Sequence, residues 1–273
     1  MNRFEYDAID AINWSSLKYM AESPAKYKYM LSHKREDTPA LAFGRAVHTL
    51  AFEPELFNAE IAIWDGERRQ GKAWADFKDA NAGKTIFKSS EIDDAMAIAC
   101  AVRAHTIVKP YLEDADAEFE HSVVWDDANT GLRCKARPDW IVPSMRTLID
   151  LKTAISIDGR RFGAAAARYM YHCQMAHYTA GIHAARGWMP EKILLIAAEK
   201  SAPYDVGVFE IDSDALWYAT DEVSRLLNRV AECRQADSWP GRYTEPQALQ
   251  LPAWVGMDDD DESPDEFGIE LGE

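Results

Sequence analysis

Hydrophobic residues in the first part of the chain recur at the spacing of amphipathic helices. The predicted helices cover about residues 17–22, 27–31, 39–51 and 90–109. Ser15 or Ser16 is the expected N-cap of the first helix. Thr38 is the expected N-cap of the third, with Pro39 at its first position, where a missing N–H costs nothing. The first 115 residues or so are therefore predicted to be mostly helical.

The pattern then changes to the alternation of half-buried strands. Predicted strands cover residues 118–125, 132–142, 147–153, 192–198 and 207–211, and predicted helices cover residues 163–185 and 214–234. Turn residues at 126–131 and 143–146 join the first three strands as a meander. This order predicts an α/β fold, a mixed central sheet flanked by helices with a helical N-terminal region.

The composition fits a folded chain in a reducing compartment. Hydrophobic residues make up 47% of the 273 residues, and no run approaches the roughly 18 apolar residues of a membrane helix. The N-terminus has no basic and then apolar segment typical of a signal peptide. Four widely spaced cysteines favour reduced thiols over a disulfide framework. We therefore expect a cytoplasmic protein with no membrane association.

The net charge of −16 argues against a nucleic-acid partner until its distribution is considered. Residues 257–273 hold nine acids and no Lys or Arg, and without them the first 256 residues carry −7. Residues 131–170 hold eight basic and three acidic side chains, a local charge of +5. We predict one domain over residues 1–256, with a core at about 116–236, and a disordered acidic tail over 257–273 whose role stays open.

The third predicted strand carries the first candidate chemistry. Asp150 and Lys152 are two residues apart, so their side chains project from the same face of the strand. If Val142 pairs with Thr147 across the turn, Asp139 lies directly opposite Asp150. The Cβ atoms of such a pair are about 4.5–5.5 Å apart.

Two carboxylates that close are destabilising unless a cation or a shared proton relieves them, and no basic residue is forced between them. A hard divalent cation, Mg²⁺ or Mn²⁺, is the predicted occupant. Beside it, Lys152 is expected to orient or help to deprotonate a water and to stabilise charge on a phosphate.

A neighbouring strand adds a glutamate on the matching face. If Trp125 pairs with Leu132, Glu118 lies opposite Asp139, and Glu120 lies two residues further along. This register favours Glu118, but either glutamate is within reach of a metal.

Three further polar residues have the spacing of site residues. His48 lies one helical turn after Gly44, and Gln174 and Tyr178 share one face of the helix that follows the lysine strand. Taken singly, each also fits a structural role, as a buried histidine with satisfied hydrogen bonds or as a half-buried polar pair.

Taken together, these residues resemble the motifs of a known nuclease family. The motifs are Gly44-x-x-x-His48, Arg137-Pro-Asp139, Asp150-Leu-Lys152 and Gln174-x-x-x-Tyr178. They are similar to the ordered motifs of the RecB-like branch of the PD-(D/E)XK nucleases. Glu120-His-Ser-Val-Val-Trp125 and Cys134-Lys-Ala-Arg-Pro-Asp-Trp140 resemble RecE-type exonucleases (exodeoxyribonuclease VIII) more closely. The resemblance covers about residues 8–235.

The resemblance implies an activity and partners. It implies Mg²⁺-dependent, processive 5′→3′ degradation of one strand from the ends of linear double-stranded DNA. The remaining 3′ single strand would serve recombination through a RecT-like single-strand annealing protein. A ring-shaped homo-oligomer is implied as well.

The resemblance also assigns roles to residues. Asp139 and Asp150 would bind Mg²⁺ or Mn²⁺, and Lys152 would serve the attacking water. The other implied metal ligands, for two ions in all, are His48, Glu120 and the backbone carbonyl of Leu151. The glutamate motif thus favours Glu120, against the register above. Gln174 and Tyr178 would support the site and the phosphate, and we infer that Arg137 contacts a DNA phosphate.

Two alternatives and one exclusion remain. An endonuclease or a DNA-repair nuclease on the same fold has the same motifs, and a catalytically silent DNA-binding subunit is the alternative from another class. Some RecB-like nucleases hold an iron–sulfur cluster through closely spaced cysteines. Here the gaps between cysteines are 34, 39 and 60 residues, so no such cluster is predicted.

Overall fold

A computed structural model of the chain describes residue 1 and residues 3–33, 38–252 and 255. The predicted acidic tail over 257–273 lies outside the described residues. The helices are α1 (Arg3–Ala8), α2 (Trp14–Leu17), α3 (Pro24–Ser32), α4 (Pro39–Phe52), α5 (Phe57–Glu60), α6 (Gly71–Ala80), α7 (Ser89–Ala104), α8 (Lys109–Leu112), α9 (Gly159–Arg168), α10 (Tyr171–Arg186) and α11 (Ser213–Ala236). The strands are β1 (Ile61–Trp64), β2 (Thr85–Lys88), β3 (Glu118–Phe119), β4 (Val123–Asp126), β5 (Arg133–Ala136), β6 (Trp140–Val142), β7 (Thr147–Ala154), β8 (Lys192–Glu199) and β9 (Val206–Glu210).

A mixed five-stranded sheet in the order β3-β6-β7-β8-β9 forms the centre of the fold. β7 and β8 are parallel and are joined by α9 and α10, whereas the other neighbours are antiparallel. One face of β7 presents Ile149 and Leu151 to a core shared with α4 and α7. The other face presents Leu148 to a second core, which includes Met175 of α10. This mixed sheet between helices confirms the predicted fold class.

The hairpin that carries the two aspartates has the predicted register. Val142 pairs with Thr147, and Trp140 pairs with Ile149. The next opposed position therefore places Asp139 across from Asp150, directly before the first residue of β6. The turn between the strands ends at Arg146, whose φ of 46° lies in the left-handed region.

The two preceding strands are each divided in the structure, which the sequence pattern did not predict. The segment 118–125 forms β3 and β4, and the segment 132–142 forms β5 and β6. Glu120 has a φ of 48°, which ends β3, and Pro138 has no N–H to donate between β5 and β6. β4 and β5 consequently pair with each other outside the central sheet.

The predicted pairing of Trp125 with Leu132 is wrong by two residues, because Trp125 pairs with Cys134. The loop extends through Leu132, whose carbonyl accepts from Asp127 N at 2.9 Å. The Asp127 carboxylate also accepts from the N–H and hydroxyl of Thr130, at 2.9 and 2.7 Å.

The central sheet places the two glutamates accordingly. Glu118 lies opposite Ile141, and Glu120 comes next to Asp139, whose carbonyl accepts from Glu120 N at 2.9 Å.

Other boundaries differ in ways that local hydrogen bonds explain. Asn13, not Ser15 or Ser16, caps α2, since its side chain accepts from Ser16 N at 2.9 Å. Thr38 caps α4 as predicted. The predicted helix over 163–185 is α9 followed by α10, because Met170 adopts a φ of 56° between them.

Residues 61–88 form the parallel pair β1–β2 and the helix α6 between them, which the pattern did not predict. Within the described ranges, none of the helices combines the length and apolar character needed to span a bilayer.

Candidate active site

The predicted site residues come together around Asp139, next to β6, and Asp150 of β7. α4 approaches from one side of the sheet and brings His48, and α10 approaches from the other side and brings Gln174 and Tyr178. The break after β3 brings Glu120. The site therefore lies where regular pairing of the strands is interrupted.

His48, Glu120 and Asp139 form the group best suited to hold a metal ion in the described part of the chain. One donor atom from each residue lies within 4.8 Å of the others. The Nε2 of His48 lies 2.9 Å from the carbonyl oxygen of Leu151, and Nδ1 lies 3.4 Å from Oδ2 of Asp139. Because a carbonyl only accepts, Nε2 carries a hydrogen, and Nδ1 is the ring nitrogen that faces Asp139.

Asp139 is held in a position where its negative charge is unfavourable without a cation. Its Oδ2 accepts a hydrogen bond of 2.9 Å from the Leu151 N–H. Burial, and then the nearby charge of Asp150, raise the pKa of Asp139 to about 7. A bound cation would favour the ionised carboxylate and offset both effects.

The structure places Glu120, and not Glu118, beside Asp139. Glu120 Oε2 is 2.7 Å from Nε of Arg137, whose side chain is only 17% exposed. Glu118 instead accepts two hydrogen bonds from Arg186, at 2.7 and 2.6 Å, and lies 2.8 Å from His121. These hydrogen bonds with Arg186 lower the pKa of Glu118 and keep it as a structural ion pair.

Lys152 and Gln174 surround the second aspartate. Lys152 Nζ is 2.6 Å from Oδ2 of the fully buried Asp150 and donates to Gln174 Oε1 at 3.0 Å. The Gln174 amide nitrogen donates to Asp150 Oδ1 at 3.2 Å and to the Tyr178 hydroxyl at 2.8 Å. Because lysine only donates and carboxylate only accepts, these partners fix the orientation of the amide. Lys152 itself thus relieves one of the two opposed acids, Asp150.

The electrostatics make Lys152 a cation and Tyr178 a neutral phenol. Burial alone would lower the pKa of Lys152, but the charges of Asp150 and Asp139 outweigh it and raise the pKa above its usual value. Burial, assisted by the same two carboxylates, holds the pKa of Tyr178 well above its usual value. Lys152 can therefore stabilise negative charge, but in this arrangement it is not a base.

The family described as "PDDEXK-like domain of unknown function (DUF3799)" matches residues 13–251. The chain belongs to this family. The match covers every residue of the site described above.

Solved structures extend the comparison to three dimensions. A protein from Eubacterium rectale named "Putative exonuclease" has a TM-score of 0.61 and 16% identity, over 93% of this chain and 95% of its own. A phage related exonuclease from Haemophilus somnus 129PT has a TM-score of 0.35 and 12% identity, over 86% of this chain and 100% of its own. No curated protein matches the chain. At such identities, the Eubacterium rectale structure shows that the fold is shared.

The donor set of this PDDEXK-like chain fits a divalent cation. One imidazole nitrogen and two carboxylates offer the hard and intermediate donors that suit Mg²⁺ or Mn²⁺. The raised pKa of Asp139 is a second sign, because burial and then the charge of Asp150 disfavour its ionised form where no cation is bound.

Two predicted residues have partners that their motifs did not indicate. The guanidinium of Arg137, expected to contact a DNA phosphate, forms an ion pair with the carboxylate of Glu120. The carbonyl of Leu151, expected to bind metal, accepts from His48. In this structure Arg137 and the Leu151 carbonyl therefore contact the side chains of the candidate metal ligands.

Sequence reasoning missed two neighbours of the site. Tyr171 lies with its ring centroid 4.8 Å from Lys152 Nζ, and only its place one helical turn before Gln174 indicated it. Glu53 is the other, because burial and then the charge of Glu120 raise its pKa. The sequence signal for Glu53 was the Glu-Pro that follows α4.

Proposed function

We propose that this PDDEXK-like chain is a metal-dependent deoxyribonuclease that hydrolyses phosphodiester bonds. The observation that carries the proposal is the convergence of His48, Glu120 and Asp139 beside the Lys152–Asp150 pair. Such a set joins metal ligands to a buried ammonium at the point where a phosphate would be attacked. Membership in a PDDEXK-like family supports the same chemistry.

His48, Glu120 and Asp139 would hold Mg²⁺ or Mn²⁺, and a second ion would use Asp139 and Asp150. A bound ion of this kind lowers the pKa of a water and neutralises charge on a phosphate. Arg137 keeps the Glu120 carboxylate aimed at the cluster, and the Leu151 N–H and carbonyl orient Asp139 and His48 respectively.

The remaining residues would act on the phosphate and the nucleophile. The Lys152 ammonium is positioned to hold the attacking water and to stabilise the charge that develops on the phosphate. Gln174 keeps Lys152 and Asp150 together, and its bond to Tyr178 leaves the phenolic hydrogen free to donate into the site. As the water forms its bond to phosphorus, the bond from phosphorus to the leaving deoxyribose oxygen would break. The proton released by the water would pass to solvent or to a neighbouring phosphate oxygen, and the leaving oxygen would take a proton from solvent.

The finer proposal is a RecE-type exonuclease that degrades one strand of linear duplex DNA from its 5′ end. The motif resemblance supports this direction and the single nuclease domain over residues 1–256. The name of the Eubacterium rectale protein agrees with an exonuclease. By the same resemblance we propose a homo-oligomer and a RecT-like annealing protein as partner.

Digestion of labelled DNA tests this proposal. A linear blunt duplex labelled at the 5′ or the 3′ end of one strand and a closed circular duplex are incubated with Mg²⁺, with Mn²⁺ and with EDTA. We expect metal-dependent release of the 5′ label as a mononucleotide, slow loss of the 3′ label and an intact circle. Asp150→Asn, purified identically, controls for contaminating nucleases. Release of the 3′ label first overturns the direction, cutting of the circle overturns the exonuclease, and intact DNA in both metals overturns the nuclease.

A further inference from the structure

Three arginines of α9, the helix that follows the lysine strand β7, form no ion pair in the described part of the chain. Arg160, Arg161 and Arg168 are all exposed, and within the described ranges none of them forms a salt bridge. Five of the other arginines of the described residues are paired with a glutamate, namely Arg69, Arg137, Arg146, Arg186 and Arg225. In a chain of net charge −16, such a concentration of unpaired positive charge calls for an explanation.

The stability of α9 does not explain two of these arginines. Asp158 caps the helix by accepting from Arg161 N at 3.1 Å, and the first turn holds Arg160 and Arg161 with no acidic residue. Positive charge is unfavourable at a helix N-terminus because the exposed N–H groups there carry partial positive charge. A role in binding an anion would account for the placement.

A row of contacts connects Arg168 with Lys152. The Nζ of Lys152 lies 4.8 Å from the centre of the Tyr171 ring, and the Tyr169 ring stacks on Tyr171 with centroids 5.7 Å apart. The Arg168 guanidinium lies 5.9 Å from the centre of the Tyr169 ring, which is 55% exposed. Arg161 is seven residues before Arg168 and therefore lies on the same face of α9.

α9 is packed against the central sheet through one aromatic side chain. Phe162 is buried and stacks on Phe209 of β9, with ring centroids 4.7 Å apart. Its ring also lies next to that of Tyr171, with ring centroids 6.4 Å apart. α9 therefore cannot move away from the sheet without breaking an aromatic cluster. The exposed arginines therefore lie on a helix whose position on the sheet is fixed by packing.

We propose that Arg160, Arg161, Arg168 and Tyr169, here called the α9 surface, bind the backbone of a DNA strand next to the phosphate at Lys152. The arginines contact successive phosphates, and Tyr169 stacks on a base or sugar of the same strand. This inference rests on the proposed function, because it assigns the substrate's path to the same site. It also moves the DNA contact expected of Arg137 to residues that are open to solvent.

Charge reversal with a matched control tests the α9 surface. Binding of a fluorescent 20-base-pair blunt duplex is measured by anisotropy with Ca²⁺ in place of Mg²⁺. The variant is Arg160→Glu with Arg161→Glu, and the control is Lys72→Glu with Lys109→Glu, which changes the net charge equally at exposed lysines elsewhere. We expect at least about tenfold weaker binding for the arginine variant and a salt dependence shallower by roughly one unit per lost phosphate contact. The control should stay within about twofold of the wild type, the scale of a change in overall charge alone.

Stacking is tested separately with two variants of one residue. Tyr169→Ala should weaken binding roughly fivefold or more, and Tyr169→Phe should restore it, because the ring and not the hydroxyl stacks. Circular dichroism checks that each variant keeps the secondary structure of the wild type, as expected when acids replace arginines in the first turn of a helix.

The outcomes separate this inference from the proposed function. Equal loss of binding in the arginine variant and the lysine control overturns the α9 surface, since overall charge would explain both. Wild-type affinity in the arginine variant overturns the α9 surface and leaves the nuclease proposal standing. A wild-type protein that binds no duplex overturns both.

Discussion

The Nζ of Lys152 and Oδ2 of Asp150 lie 2.6 Å apart, and the aspartate side chain is fully buried while the lysine is 18% exposed. Because of this ion pair, the two opposed aspartates, Asp139 and Asp150, lie in different electrostatic environments. Asp150 is compensated by an ammonium and by Gln174, whereas the pKa of Asp139 is raised by burial and by the charge of Asp150. The two residues should therefore respond differently to the same substitution.

Asp150→Asn should destabilise the metal-free protein by about 3 kcal/mol, because it leaves the Lys152 ammonium without its buried partner. Asp139→Asn should leave the stability unchanged or raise it, because an amide oxygen can still accept from Leu151 N while the buried charge is removed. Urea unfolding in EDTA at pH 8 measures both. Equal losses in the two variants would contradict this distinction.

The pH dependence of stability follows from Asp139. Burial raises its pKa to about 7, above the roughly 3.9 of an unfolded aspartate. The folded state then binds more protons between these two values, so this group lowers the free energy of unfolding as the pH rises. The wild type minus Asp139→Asn difference in EDTA should fall from pH 5.5 to pH 8. A difference that grows with pH would indicate a lowered pKa instead.

The affinity for a divalent ion should increase with pH, whereas the contribution of Asp139 to stability decreases. Binding requires the ionised carboxylate, so the affinity for Mn²⁺ should increase from pH 5.5 to pH 8 as Asp139 loses its proton. Isothermal titration calorimetry at the two pH values measures this. An affinity that is independent of pH would remove Asp139 from the ligands.

Lys152→Gln should lower the turnover number at least about a hundredfold, because a positioned charge that acts on the transition state is lost. The amide retains a hydrogen-bond donor toward Asp150, which favours folding. Affinity for duplex DNA and for the metal should stay within about fivefold. Single-turnover cleavage under saturating metal measures the chemical step, and a near-normal rate would exclude Lys152 from it.

Arg137→Gln distinguishes the two roles considered for this arginine. The ion pair of 2.7 Å with Glu120 predicts a several-fold higher half-saturating Mg²⁺ concentration, with turnover restored at high metal. Arg146→Gln, at an exposed ion pair with Glu191, is the control. Weaker DNA binding with an unchanged metal requirement would instead support the phosphate contact expected from the sequence.

The sequence was sufficient to predict the register of the aspartate hairpin. A short turn after Val142 fixes which residues face each other, and side-chain alternation then determines the common face of Asp150 and Lys152. The caps of α4 and α9 act within four residues and are equally local. The cap of α4 was predicted and the cap of α9 was not, because Asp158 lies before the expected start of its helix.

The remainder depended on tertiary contacts that no local pattern contains. The choice between Glu118 and Glu120 depends on a loop that extends through Leu132 and on a left-handed backbone at Glu120. The partner of Arg137 depends on that same bend. The Lys152–Tyr171 contact depends on the break at Met170, where a single long helix was predicted.

Metal-dependent cleavage by the wild type and by ligand variants tests the central claim most directly. The rate of nucleotide release from linear duplex is measured against Mg²⁺ concentration for the wild type, Glu120→Gln and Asp139→Asn, with EDTA as the zero point. The structure predicts cleavage by the wild type only when metal is present, and a rate at least about a hundredfold lower for Asp139→Asn at every concentration. Cleavage in EDTA, or an Asp139→Asn rate equal to that of the wild type, would contradict the assignment of this site as a metal-dependent nuclease centre.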